Sequence, residues 1–361
     1  MPRVIGVDPG TLSIDICGLE NGELFLDRSF PTADALAAPD EFIALLTGAG
    51  PLDLVAGPSG YGLPLVAARE ATDEDLRLAY LAAPGEQGGI GGLRSLVRRL
   101  ARSPLPMVLI PGVVHLTSVP AHRKVNRIDM GTADKLCAAV LAVREEAARR
   151  RGEAADVSFI LLELGGAFTA ALAIANGRIV DGAGGSAGPM GLRAAGALDG
   201  EVAFLAGEVS KSMLFSGGAA AVAGVPDLDA EMLAIPRDAR GRLAWDAYLE
   251  GAVKAVAALA VSTPGRHVVV SGRLARVAAV RDELEARLAA VFPDVSVHAL
   301  TGFAGVAKQA AQGAALLADG LAGGANAALV ETMGIREASG TVLDHLYVIS
   351  AAAARKRLGI E

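Results

Sequence analysis

Two acid–glycine turns of the same form lie 155 positions apart in this chain. The first, Asp8–Gly10, follows an apolar run that begins at Val4, and the second, Glu163–Gly165, follows an apolar run that begins at Phe159. A carboxylate at the end of a strand can bridge to hydrated Mg²⁺, and the backbone N–H groups of a glycine turn can bind an anion. Two such turns facing each other would form a clamp for the phosphates of a nucleotide.

The repeat extends beyond these two turns. Thr11 follows the first glycine and Gly166 follows the second, and Asn-Gly dipeptides occur at 21–22 and 176–177, again 155 positions apart. An Asn-Gly pair between apolar runs is typical of a tight β-hairpin turn. Two unrelated hairpins are the alternative, but the shared spacing of acid, glycine and Asn-Gly favours the clamp.

Strands and helices alternate in both halves of the chain, which predicts two α/β domains of one plan, facing across a cleft. We expect the first domain at 1–155 and the second at 156–330. The segment 331–361 is harder to place; it contains a strand-like stretch, Leu343–Ile349, and a basic helical tail, and packing back on the first domain is one option. The longest predicted helices are Thr132–Arg151, Asp246–Val261 and Gly305–Ala322.

Composition limits the class of protein. The 361 residues carry a formal net charge of −7, with 52% apolar and 4% aromatic residues, and the basic residues are scattered, so nucleic acid is not an expected partner. No apolar run is long enough to span a membrane, and the first strand begins too early to leave room for a signal peptide. The cysteines at 17 and 137 are isolated, which argues against a disulfide framework. We therefore expect a cytoplasmic protein, and homodimer formation stays open.

The order of these motifs resembles the superfamily of acetate kinases, sugar kinases, Hsp-type chaperones and actin. Asp8–Thr11 resembles its first phosphate loop, Glu163–Gly166 its second, and Val270–Arg273 its adenosine motif. The resemblance implies two ribonuclease H-like (actin-like ATPase) domains facing across a nucleotide cleft. The stretches Asp129–Lys135 and Gly188–Arg193 also resemble a prokaryotic family labelled predicted butyrate kinases.

The resemblance implies ATP and Mg²⁺ as cofactors, with the metal held by Asp8 and Glu163. The residues that it implies for nucleotide binding are Gly10, Thr11, Gly165, Gly166, Ser271, Gly272 and Arg273. Two departures affect individual ligands. Glu163 stands where an Asp is more usual, and Arg273 stands where a second glycine is expected.

Three further segments are candidates for contacting a phosphoryl acceptor, namely Gly57–Leu63, His115–Lys135 and Gly182–Arg193. The candidate acceptor-binding residues are Ser59, Tyr61, His115, Gly188 and Arg193, and the candidate catalytic residues are Asp134, Arg123 and Arg127. Each has a structural alternative: an ordinary loop, a solvated basic face, or an acid favoured by the helix dipole in a first turn.

Two functions follow from these expectations. The first is an ATP-dependent kinase of a small molecule, with a short carboxylic acid such as butyrate as the leading acceptor, held by Arg123, Arg127 and Arg193. A carboxylate nucleophile is already ionised, whereas a hydroxyl acceptor needs a base, for which Asp134 is the first choice. The second function is a nucleotide-driven ATPase switch or activator that acts on a protein partner.

Overall fold

The computed structural model describes residues 2–10, 12–82, 89–264 and 266–360. They form two compact units. The first unit comprises Met1–Ile128, Thr132–Ala155 and Gly302–Glu361, and the second comprises Asp129–Gly131 and Asp156–Thr301. Each unit is built around one β-sheet with helices, so the predicted α/β class is confirmed.

The sheet of the first unit places the first acid–glycine turn at the end of a central strand. Among the described residues its strands are β1 (Arg3–Pro9), β2 (Ser13–Glu20), β3 (Glu23–Pro31), β4 (Leu54–Pro58), β5 (Val66–Ala67) and β6 (Met107–Ile110). The strand order is β3-β2-β1-β4-β6-β5. β1 pairs antiparallel with β2 and parallel with β4.

The sheet of the second unit repeats this arrangement. Its strands, within the described residues, are β7 (Phe159–Leu164), β8 (Thr169–Ala175), β9 (Arg178–Ala183), β10 (His267–Ser271) and β11 (Ser296–Ala299). The order is β11-β10-β7-β8-β9. β7 pairs antiparallel with β8 and parallel with β10, as β1 does with β2 and β4. Each acid–glycine turn therefore follows directly after a strand in the middle of its sheet.

The sequence repeat is also a repeat of local geometry. The Asn-Gly turns at 21–22 and 176–177 have positive φ at all four residues, as a type I′ hairpin turn requires. The β2–β3 ladder shifts register between Gly18 and Leu19, and the β8–β9 ladder shifts between Ala173 and Ile174. These bulges are also 155 positions apart, so the two hairpins match in turn, register and bulge.

The helices surround these sheets. In chain order the described α-helices are α1 (Thr32–Ala37), α2 (Pro39–Thr47), α3 (Asp73–Tyr80), α4 (Gly89–Ala101), α5 (Ala121–Lys124), α6 (Ala133–Arg150), α7 (Gly200–Ala206), α8 (Lys211–Leu214), α9 (Ala219–Ala223), α10 (Ala230–Ala234), α11 (Ala239–Leu259), α12 (Ala278–Val291), α13 (Gln309–Leu321), α14 (Ala327–Met333) and α15 (Ala351–Arg357). The described 3₁₀ turns are Ala68–Glu70, Val113–His115, Ala154–Asp156, Leu274–Arg276 and Ile335–Glu337. None of the helices in the described part of the chain is long and apolar enough to cross a membrane.

Each unit has its own apolar core. β1 is buried along its five central residues, and β10 is buried throughout, as expected for strands in a sheet that is covered on both faces. In the second unit, Trp245 and Tyr248 of α11 join the core against β7, β8 and β10.

The predicted second domain extends to residue 330, whereas α13 belongs to the first unit. The reason is close packing of α13 against β1 and α6. A Cβ atom on Gly6 would lie 2.3 Å from the Ala311 carbonyl oxygen, and one on Gly313 would lie 1.7 Å from the Cys137 carbonyl oxygen. Glycine at these two positions lets the helix lie flush against both neighbours.

The C-terminal segment also packs on the first unit. Its apolar residues form a cluster with helix α3 and the chain after β6; the buried members are Leu78, Val114, Val342, Leu343, Leu358 and Ile360. The structure has no strand at the expected position, Leu343–Ile349. The N–H groups of Tyr347 and Val348 instead donate to the Asn126 side-chain oxygen, at 2.7 and 3.1 Å.

Candidate functional site

The first acid–glycine turn is closed by its own backbone. The Gly10 N–H donates to the carbonyl oxygens of Asp8 and Ser13, both at 3.0 Å, and the Gly10 carbonyl accepts from the Thr32 hydroxyl at 2.7 Å. A Cβ on Gly10 would lie 2.8 Å from the Ser13 oxygen, so the turn requires glycine. Thr11, predicted to bind nucleotide, lies outside the described residues.

Asp8 and Asp134 interact electrostatically at this turn. Burial and, to a smaller extent, the charge of Asp134 raise the pKa of Asp8, against the opposing effect of Lys308 and Lys135, and the result is a pKa of about 7. Burial also raises the pKa of Asp134, but Lys135 outweighs it, helped by a hydrogen bond from the Thr132 hydroxyl, so this pKa lies below its usual value. The Lys135 Nζ donates to Asp134 at 2.8 Å.

The structure adds two residues that the sequence analysis did not single out. Asp15, on β2, is buried, and its carboxylate lies 3.0 Å from the Nζ of Lys308, which precedes α13. The acid within the apolar stretch Ser13–Glu20 was a visible signal for Asp15. No such signal marked Lys308, because its position depends on how α13 packs.

The loop after β4 lies at the start of α6. The Gly60 carbonyl accepts from the Ala133 N–H at 2.9 Å, which brings the loop close to Asp134. Ser59 is fully buried, and its hydroxyl donates to the Ile110 carbonyl at 2.7 Å. Tyr61 packs against the C-terminal cluster.

Three other predicted site residues, His115, Arg123 and Arg127, belong to the part of the first unit between β6 and α6. His115 is buried, its Nδ1 lies 3.3 Å from the Gly112 carbonyl, and burial lowers its pKa to about 4. The His115 carbonyl accepts from Ser339 in the C-terminal segment, so the residue lies beneath that segment. Arg123, on α5, is partly exposed, and Arg127, just after α5, is exposed.

The second acid–glycine turn has the same closure as the first. The Gly165 N–H donates to the Phe168 carbonyl at 3.0 Å, which matches the bond from Gly10 to Ser13. Glu163 and Gly166 are both partly exposed. Thr169 is buried, with its hydroxyl 3.4 Å from the Tyr248 hydroxyl.

The glycine-rich loop Gly182–Arg193 packs on this second turn. The Arg193 N–H donates to the Ala167 carbonyl at 3.0 Å, and a Cβ on Gly185 would lie 2.4 Å from the Phe168 ring. A Cβ on Gly188 would lie 2.6 Å from the Gly184 carbonyl. The exposed guanidinium of Arg193 donates to a backbone carbonyl, that of Pro226.

Asp129 fixes the middle of this loop from within the second unit. Its carboxylate accepts from the Ser186 N–H and hydroxyl at 2.8 and 2.9 Å, and its carbonyl accepts from the Gly184 N–H at 3.0 Å. Asp129 is buried, so these bonds hold the loop conformation in place.

The predicted adenosine motif adjoins the second turn. Ser271 and Glu163 are register partners in the β10–β7 ladder. Gly272 has φ +89°, and a Cβ there would lie 2.5 Å from the Leu164 carbonyl. Ser271 is buried with its hydroxyl unpaired, and Arg273 is exposed. The sequence-predicted residues 163–166 and 271–273 are therefore brought together.

The chemistry available at the first unit is anionic with two ammonium groups close by. Asp8 and Asp134 supply hard oxygen ligands of the kind that Mg²⁺ prefers, Asp15 is paired with Lys308, and Lys135 and Lys308 supply positive charge. The carboxylates suit a metal ion and the ammonium groups suit phosphate oxygens. The site therefore fits a complex of a metal with a polyphosphate better than it fits a free anion or a free cation.

Comparison with known proteins places the chain in a family and in a fold. The model of a family described as "Protein of unknown function (DUF1464)" matches residues 6–348. No curated protein matches the chain.

Similar solved structures include a propionate kinase from Francisella tularensis subsp. tularensis SCHU S4, with a TM-score of 0.62 and 13% identity over 87% of this chain and 98% of that one. An acetate kinase from Entamoeba histolytica has a TM-score of 0.58 and 13% identity over 80% of this chain and 87% of that one. An acetate kinase from Porphyromonas gingivalis has a TM-score of 0.57 and 15% identity over 87% and 98%. The predicted actin-like ATPase fold is confirmed.

Proposed function

The chain belongs to the DUF1464 family, and we propose that it is an ATP-dependent kinase that phosphorylates a small molecule. The observation that carries the proposal is the matched pair of acid–glycine turns. Each ends a central strand, and each is closed by the same bond, from Gly10 to Ser13 and from Gly165 to Phe168. We assign both turns to the phosphates of ATP, and the adjoining Ser271–Arg273 segment to the adenosine.

Magnesium fits the acidic residues at the first turn. Asp8 is buried with a raised pKa, and such a carboxylate is stabilised in its charged form when a divalent cation offsets the cost of burial. We assign Asp8 and Glu163 as the metal-binding residues. The ion would neutralise phosphate charge during transfer, which in this class of reaction depends mainly on positioning and electrostatics.

The acceptor that we propose is a short-chain carboxylic acid such as butyrate. Two observations support an acid over a hydroxyl compound. The fold is that of an acetate and a propionate kinase. In addition, Asp134 already accepts from Thr132 and Lys135, which leaves it a weak base, and an ionised acid needs none. Arg123, Arg127 and Arg193 are the candidate contacts to the acceptor.

The test is ATP consumption with Mg²⁺ and a panel of carboxylic acids of two to six carbons, beside polyols and sugars, with the product identified by mass. We expect at least one short acid to accelerate turnover, and Asp8→Asn to lose that acceleration. Asp34→Asn is the matched control, because Asp34 is an exposed acid on α1.

Two results would count against the proposal. If a sugar or polyol alone accelerates turnover, the acid acceptor is wrong and the kinase remains. If no small molecule accelerates ATP consumption above the reaction with water, but a co-purifying protein does, the protein is a nucleotide-driven switch.

A further inference from the structure

Lys308 lies directly over the first acid–glycine turn. Its Nζ donates to the Ser13 hydroxyl at 2.6 Å and pairs with the Asp15 carboxylate at 3.0 Å. A Cβ built on Gly10 would lie 3.1 Å from the same Nζ. The ammonium group therefore touches the turn to which the proposed function assigns the phosphates.

The backbone that carries Lys308 is held rigidly by side chains of the first unit. The Asp27 carboxylate accepts from three successive N–H groups, those of residues 305–307, at 2.6 to 2.9 Å. The buried Gln312 amide accepts from Phe303 and donates to the Ala307 carbonyl. Glu145 accepts from the Gly302 N–H at 2.8 Å. Such fixed bonds place the start of α13, and Lys308 with it, before any ligand arrives.

The ammonium group retains binding capacity in this position. It has three N–H donors, and Ser13 and Asp15 accept two of them. The Lys308 side chain is 46% exposed, whereas that of Asp15 is 1% exposed. Within the part of the chain that the structure describes, the third donor of this cation has no acceptor and lies on the solvent side of the turn.

We propose that Lys308 is a phosphate-binding residue, whose ammonium donates to an oxygen of a polyphosphate bound on the first acid–glycine turn. Asp15 and Ser13 act as positioning residues that aim the ammonium at the turn. The inference rests on the proposed function for the identity of the nucleotide, but its ligand chemistry is the polyphosphate group.

A purely structural role for Lys308 is the competing explanation, because the buried Asp15 needs a counter-charge. The double variant Asp15→Asn, Lys308→Met separates the two. It removes both charges and so leaves no buried carboxylate without a partner, yet it still lacks the ammonium.

The experiment measures dissociation constants for ATP, inorganic tripolyphosphate and adenosine by calorimetry, with Mg²⁺ and again with a chelator. Lys308→Met and the double variant should both weaken ATP and tripolyphosphate binding by roughly ten- to a hundredfold, as expected for the loss of one charge-assisted hydrogen bond. Adenosine binding should not change. Lys308→Arg should recover most of the affinity, and Lys356→Met, at an exposed lysine of α15, is the control.

Each outcome decides the matter. If the double variant binds ATP and tripolyphosphate as tightly as the wild type, Lys308 only balances Asp15 and the inference is overturned while the kinase stands. If the wild type binds tripolyphosphate through Lys308 but does not bind ATP, the proposed function fails and the phosphate assignment holds. A wild type that binds neither ligand overturns both.

Discussion

A carboxylate whose pKa is close to neutrality is destabilising to a protein that must hold it ionised. Asp8 is such a group, because burial and the charge of Asp134 raise its pKa to about 7. The folded chain therefore favours the protonated form between pH 4 and 7, where the unfolded chain favours the ionised form. Stability falls as the pH rises through this window. A bound cation would reverse the preference, so the cost is tied to the function that we propose.

Asp8→Asn should stabilise the protein in the absence of nucleotide and metal. The gain should be small near pH 4 and should reach its maximum above pH 7, at no more than about 4 kcal/mol, since one pKa unit corresponds to about 1.4 kcal/mol. Thermal unfolding at several pH values measures it. Addition of ATP with Mg²⁺ should raise the midpoint of the wild type and leave Asp8→Asn nearly unchanged. A variant less stable than the wild type at pH 8 would show that Asp8 is ionised and paired in the apo protein.

At the scale of the elements, α13 links the fold of the first unit to its site. The helix lies against β1 and α6 through Gly6 and Gly313, and its first residue follows Lys308. A shift of the helix would therefore move the lysine away from Ser13 and Asp15. The packing of α13 thus determines where the positive charge of Lys308 lies relative to the end of β1.

Gly313→Ala should disrupt this packing. The new Cβ would lie 1.7 Å from a backbone oxygen of α6, which forces the two helices apart and should cost at least about 1–3 kcal/mol. Hydrogen exchange of α6 and α13 should become faster. The matched control is Gly200→Ala in α7, where a Cβ meets nothing within 4 Å. Unchanged exchange in Gly313→Ala would mean that the helices do not pack as described.

The elements show which features could be predicted from the sequence. The Asn-Gly turns and the two acid–glycine turns depend on neighbouring residues, and their local chemistry predicts them. The assignment of α13 to the first unit depends on a contact between residues 6 and 311, which no local pattern contains. Lys308 was missed for the same reason. The strand expected at Leu343–Ile349 did not form, because Asn126 takes up the N–H groups of Tyr347 and Val348.

At the scale of the whole molecule, the two units differ in continuity. The second unit is one stretch from Asp156 to Thr301, apart from the three residues Asp129–Gly131, whereas the first is completed by residues that come after the second. The second unit also has its own core around Trp245. We therefore expect the two units to differ in their ability to fold when each is produced as a separate fragment.

A fragment of residues 156–301 should fold on its own, with cooperative unfolding reported by the fluorescence of Trp245. Its loop at Gly184–Ser186 should exchange faster than in the full chain, since Asp129 is missing. A fragment of residues 1–155 lacks α13 and should remain largely unfolded, because one face of β1 is uncovered. Cooperative unfolding of the 1–155 fragment would contradict this prediction.

The interrupted path of the first unit bears on how the protein is made. A ribosome delivers β1 and β2 first, but the helix that covers them emerges only after the whole second unit. The apolar face of β1 therefore stays uncovered while residues 21–308, most of the chain, are translated, and a chaperone is expected to bind it during that time. The later unit can reach its native state first, and the segment that brings Lys308 to the first turn is among the last to arrive. A nascent chain that is stalled or truncated before α13 would carry both acid–glycine turns, but the first turn would lack Lys308 and the helix that covers β1.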